Sequence, residues 1–68
     1  MTSRLLLTTI AEEMKKSHAE FEKYIFILEE NFLDDVASLK DVTDDQWKND
    51  LKFPVGLINK IKKTLTES

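Results

Sequence analysis

The stretch Val42-Thr43-Asp44-Asp45-Gln46-Trp47-Lys48-Asn49-Asp50-Leu51-Lys52-Phe53-Pro54-Val55-Gly56 holds a helix start, a helix end and a second helix start. Thr43 is a good N-cap, and Gln46 stands three residues on, at the reciprocal position of a capping box. Asp44 and Asp45 suit the positive end of the helix dipole. Trp47 and Leu51 lie four apart, so they share an inward face. Pro54 cannot sit inside that helix, and it disfavours a helical Phe53. It suits the first turn of a last helix, with Val55, Ile58, Ile61 and Leu65 on the inner side. The lysines of that helix cluster in its C-terminal half, where the dipole favours cations.

Working outward, the spacing stays helical. Phe32, Val36 and Leu39 recur at i, i+4, i+7 and predict a short third helix over residues 31–39. Leu6, Leu7, Ile10 and Met14 mark one face of a first helix, roughly residues 2–16. Phe21, Tyr24, Ile25 and Leu28 mark a second, roughly residues 18–30. Between them Ser17-His18-Ala19-Glu20 has the form of a capping box, which argues for a break near Ser17. A rival reading is one unbroken helix over residues 3–30. Leu7, Met14, Phe21 and Leu28 then form a seven-residue seam for a symmetric dimer, weakened by Ser17 at a seam position. The expectation is an all-α bundle of five helices, two of them very short.

The composition fits. The chain has 68 residues, 41% hydrophobic and 34% charged, with one glycine, one proline and no cysteine. That is the balance of one soluble globular domain over residues 1–68. No disulfide framework or thiolate metal site is available to it. So short a chain buries only about 60% of its unfolded surface, which argues against a deep catalytic pocket. No apolar run approaches the ~20 residues that span a bilayer. Leu5–Leu7 is too short for a signal peptide, and Thr2 after Met1 excludes myristoylation. The expected setting is intracellular, in the cytoplasm.

The net charge of −3 averages regions of opposite sign. Residues 1–28 are neutral overall, residues 29–50 sum to −6 and residues 51–68 to +3. Such a split suits either plain solvated helix faces or a pair of complementary surfaces. It does not suit a general nucleic-acid binder, which carries a positive excess.

From Tyr24 to Leu65 the pattern resembles the sterile alpha motif, the SAM domain. The residues that carry this are Leu28-Glu29-Glu30-Asn31-Phe32, Leu39, Val42-Thr43-Asp44-Asp45-Gln46-Trp47, Leu51-Lys52-Phe53-Pro54-Val55-Gly56 and Lys60-Ile61. Residues 1–16 lie outside the strongest resemblance. There are three departures: Lys52 stands where the family usually has glycine, Ile58 stands where it usually has arginine, and one extra residue falls between Trp47 and Leu51. The resemblance implies a non-catalytic protein–protein interaction module, one piece of a larger scaffold or signalling protein. Its partner would be a second copy or another SAM-like domain. In such domains an acidic mid-domain surface docks on the start of a neighbour's last helix, a heterologous contact that propagates. Here the acidic surface would be Asp34, Asp35, Asp41, Asp44 and Asp45. The complementary one would be Lys52, Val55, Gly56, Leu57, Ile58, Asn59, Lys60 and Lys63. With the arginine missing, Leu57 or Ile58 would have to supply the apolar part. The charge split supports the same pairing independently. A further alternative is RNA or lipid binding by Lys52, Lys60, Lys62 and Lys63.

Chemistry has little else to work with. His18 is the only histidine and no cysteine accompanies it, so no zinc site is expected. Asp34-Asp35 and Asp44-Asp45 lack the calcium loop's central glycine and terminal glutamate, and are better read as helix-start carboxylates. No glycine-rich phosphate loop is present. No enzyme activity and no cofactor are expected. Trp47 is expected in the core. Phe26, Ile27, Leu57 and Ile58 exceed what one small core needs, which is a reason to expect a partner.

Overall fold

Thr43 and Gln46 do exchange the two bonds of a capping box in the computed structural model, which describes residues 1–67. The Gln46 amide donates to Thr43 Oγ1 at 3.2 Å, and the Thr43 amide donates to Gln46 Oε1 at 2.9 Å. Ser68, the last residue of the expected domain, lies outside the described residues. The helices are α1 (Ser3–Glu13), α2 (His18–Glu30), α3 (Val36–Leu39), a π-helical turn (Gln46–Asp50) and α4 (Val55–Glu67). Among the described residues these are the five helices, and there is no strand.

The break near Ser17 is present. Ser17 Oγ accepts from the Glu20 amide at 3.2 Å and starts α2. α1 ends in a Schellman turn at Lys15, which has φ of 58°. The Lys16 amide reaches back to the Ala11 carbonyl at 2.9 Å, and the Lys15 amide to that of Glu12 at 3.2 Å. The unbroken helix over residues 3–30 is therefore not formed. Its seam residues Leu7, Phe21 and Leu28 are buried within the chain, with Met14 half-buried beside them. A hairpin of two amphipathic helices satisfies the same apolar spacing without a second chain.

α2 ends the same way. Phe32 has φ of 60°, its amide donates to the Glu29 carbonyl at 3.1 Å, and the Leu33 amide donates to that of Leu28 at 2.8 Å. The turn throws Phe32 outward, 87% exposed, and folds Leu33 against the core. Phe32 thus does not belong to a third helix, as its spacing from Val36 suggested. α3 starts only at Val36, capped by Asp35, whose Oδ1 accepts from the Ser38 amide at 2.9 Å.

The first residues strap this turn down. Thr2 pairs with Asp35 in an isolated antiparallel bridge. The Ser3 amide donates to the Asp34 carbonyl at 2.9 Å and the Val36 amide to that of Met1 at 3.1 Å. Ser3 is fully buried, and its hydroxyl donates to the Leu33 carbonyl. That bond removes the penalty of a buried, unpaired hydroxyl.

After Asp45 the helix widens. The Leu51 amide reaches back five residues to the Gln46 carbonyl at 2.8 Å, so the turn holds one residue more than an α-turn. Lys52 follows with φ of 57°, and the Phe53 amide then bonds the Trp47 carbonyl at 3.1 Å. Trp47, Leu51 and Phe53 all point inward as a result. Trp47 is 1% exposed, at the centre of a core drawn from every helix. An aromatic chain crosses this core. Trp47 meets Phe53 at 5.2 Å, Phe53 meets Tyr24 at 5.0 Å, and Tyr24 meets Phe21 edge-on at 6.1 Å.

The last helix keeps most of its expected inner face, with Leu65 packed against the core beside Ile58 and Ile61; Val55 is the exception. Leu57, Ile58 and Ile61 are buried, while Val55 is 62% exposed. Pro54 lies just before α4, its carbonyl taking the Ile58 amide at 2.9 Å. Leu57 and Ile58 consequently belong to the core and not to an exposed surface, and Val55 does not belong to the inner side. Ile27 also packs against the core, so Phe26 alone of the four surplus residues remains exposed.

Candidate functional site

Asp34, Asp35, Asp41, Asp44 and Asp45 are all exposed, on the segment from the end of α2 to the π-helical turn. Their side chains are not equally free. Asp35 caps α3, and Asp45 accepts from the Asn49 side-chain amide. Asp44 is held by Lys62 of α4 in an exposed ion pair. Hydrogen bonding to the Lys62 ammonium, then its charge, keeps the Asp44 carboxyl below the usual carboxylate range. Asp34 and Asp41 show no side-chain bond among the described residues. Asp41 and Asp50 also line an open groove of about 350 Å³ between the end of α2 and the π-helical turn. Each single aspartate is modest, but together they outweigh the exposed Lys40 and leave this segment acidic.

Around the start of α4, the predicted last-helix surface is only partly assembled. Lys52, Val55, Gly56, Asn59 and Lys63 are exposed, Lys60 is half-buried, and Leu57 and Ile58 are withdrawn into the core. Lys60 pairs with Glu13 of α1 at 3.5 Å. Lys52 and Lys63 carry no ion pair among the described residues. The middle and the last helix are therefore complementary within one chain as well, through Asp44 and Lys62.

Beside the start of α4 the structure opens a cleft that spacing arguments did not reveal. Its volume is about 380 Å³. Met14, Phe21, Tyr24 and Leu57 give it apolar walls, and Pro54 and Gly56 form the α4 side. Lys16, Lys23 and Glu20 stand around it, with Lys23 Nζ 5.0 Å above the Tyr24 ring. The cleft exists because α1 stops at Lys15 and α2 departs from Ser17. Only the capping box hinted at that corner.

Two further features were missed. Phe32 looked like an inward residue and is the most exposed large apolar one. Ser3 gave no signal in the sequence, yet it anchors the acidic turn. On the outer face, Arg4 joins Glu22 at 2.7 Å and Glu29 at 3.4 Å across the hairpin, which raises its already high pKa. His18 is exposed at the start of α2. Among the described residues no group of three or more histidine, cysteine or acidic side chains is placed to hold a metal ion. No helix there is long and apolar enough to cross a membrane. The chain matches no protein-family model, no curated protein and no solved structure.

Proposed function

We propose that this chain is a SAM-like, non-catalytic protein–protein interaction module that associates head to tail. One observation carries it: the chain exposes an acidic segment, Asp34 to Asp45, and a last-helix start bearing Lys52, Val55, Gly56 and Lys63. Such a pair joins one copy to the next and leaves a free surface at each end. Two details support the SAM-like reading of the fold. Lys52, at the family's glycine position, takes the left-handed conformation that glycine favours. The extra residue before Leu51 is absorbed by the π-helical turn, so Phe53 and Pro54 keep their places relative to α4. With Leu57 and Ile58 largely buried, Val55 is the exposed large apolar residue of the last helix.

Sedimentation at rising concentration and two salt levels tests this. Apparent mass should grow without a fixed limit at low salt and fall at high salt. Asp34→Lys with Asp41→Lys, or Lys52→Glu with Lys63→Glu, should each weaken growth while the fold is kept. These residues carry no internal ion pair among the described residues, so their reversal leaves the Asp44–Lys62 and Lys60–Glu13 contacts alone. A parent chain that stays monomeric throughout, or two reversal variants that associate like the parent, ends the proposal.

A further inference from the structure

We infer that Phe32 of one copy inserts into the cleft formed by Met14, Phe21, Tyr24 and Leu57 of the next; this rests on the head-to-tail reading and supplies its missing apolar anchor. Phe32 breaks two local rules at once. It occupies the left-handed position of a Schellman turn, where glycine is usual, and the residue is 87% exposed. Among the described residues the ring meets no other aromatic. Folding therefore gains nothing from a phenyl group here, while association does, because aromatics dominate interface anchors.

Charge selects the occupant. Glu29, Glu30, Asp34 and Asp35 surround Phe32 in the chain, all exposed, and residues 29–39 contain no lysine or arginine. Arg4 meets one of these carboxylates, Glu29, at 3.4 Å. The cleft is bordered by Lys16 and Lys23 against a single Glu20. A ring in an acidic collar thus faces an aromatic-walled cleft with a basic border, both present in every copy. The ring does not reach its own cleft. Phe32 and Phe21 lie at opposite ends of α2, roughly 15 Å apart at 1.5 Å per residue.

Gly56 marks the mouth. It is the only glycine, yet its φ is not left-handed, and a Cβ placed on it would meet no atom within 4 Å. Neither the backbone nor packing inside the monomer requires a poor helix former at this position. A bare backbone there leaves room for a neighbour's close approach.

The test uses two variants that keep the monomer intact. Phe32→Gly removes the ring and suits the left-handed turn. Gly56→Gln improves the helix and fills the mouth. Each should melt no lower than the parent, yet self-associate on the order of tenfold more weakly in sedimentation. Mixed in equal amounts, they should form a one-to-one pair that grows no further, since one supplies the ring and the other the cleft. If Phe32→Gly associates like the parent while the charge reversals weaken association, the ring-in-cleft contact is wrong and the charged reading survives. If both variants lose association but the mixture does not pair, the cleft is not the ring's seat. A parent chain that is monomeric at every concentration overturns the second copy as occupant, and with it the head-to-tail reading.

Discussion

The turn after α2 and the turn before α4 are built from the same parts and put them to opposite use. Each has one left-handed residue and at least one large aromatic. Before α4, the left-handed residue is Lys52, whose amine stays in water, and the wide π-helical turn brings Trp47 and Phe53 inward. After α2, the left-handed residue is itself the aromatic, Phe32, and the ring is cast outward while Leu33 fills the core. Backbone irregularity serves packing in the first case. In the second it costs stability and leaves apolar surface uncovered. An expense that folding does not recover is a pointer to binding.

Four measurements set the two turns against each other. The largest effect belongs to Trp47. Trp47→Ala should cost about 3–5 kcal/mol, against a whole stability of about 3–10 kcal/mol for a chain of this length. Its far-ultraviolet circular dichroism should show a largely unfolded protein at 25 °C. Phe32→Ala should leave the melting curve close to the parent's. If these two truncations proved equally damaging, the contrast between the turns would be lost.

Thr43→Ala comes next. It removes the hydroxyl that caps the helix leading into the π-helical turn, and should cost about 1 kcal/mol. Urea unfolding should show a lower midpoint with an unchanged slope. Glycine at the left-handed positions works in the other direction. Lys52→Gly and Phe32→Gly should each stabilise by about 0.5–1 kcal/mol, the relief of the left-handed strain less the entropy of glycine. Thermal melts should rise for both, whereas Phe32→Gly should weaken association far more than Lys52→Gly, which removes one exposed charge of the last-helix surface. An equal loss of association in the two variants would mean that the Phe32 ring adds nothing beyond charge.

The smallest effect is the acid dependence of the Asp44–Lys62 pair. The Asp44 carboxyl titrates lower when folded than its ordinary 3.8. The pair's contribution is therefore present above that value and is lost as pH falls through the lower, folded one. The pair is exposed, so the difference between the parent and Lys62→Ala should be slight and should vanish below that range in pH-dependent melts.

Much of the helix plan was legible because caps are local chemistry. Ser17 with Glu20 and Thr43 with Gln46 are each read from four adjacent residues, and the bonds that form lie within them. The inner faces of α1 and α2 were legible for a similar reason, since periodicity reports burial. Helix endings were harder. Lys15, Phe32 and Lys52 take a conformation that their side chains do not advertise, and tertiary packing imposes it. In α4 the inward stripe of Ile58, Ile61 and Leu65 was legible, but its edge was not: Leu57 flanks the stripe on the buried side and Val55 lies on the other, exposed side. The acidic surface could be counted directly. The cleft could not, because its walls come from three elements far apart in sequence.

The strap from residues 1–3 to residues 34–36 has a kinetic consequence. The amides of Ser3 and Val36 donate across it in opposite directions, and the Ser3 hydroxyl is locked beneath it. Neither amide can meet solvent unless the two segments part. In hydrogen exchange they should open as one cooperative unit at a shared rate. The acidic turn then has a lifetime set by the first three residues of the chain, and anything that peels them away also loosens the backbone beneath Phe32 and Asp34.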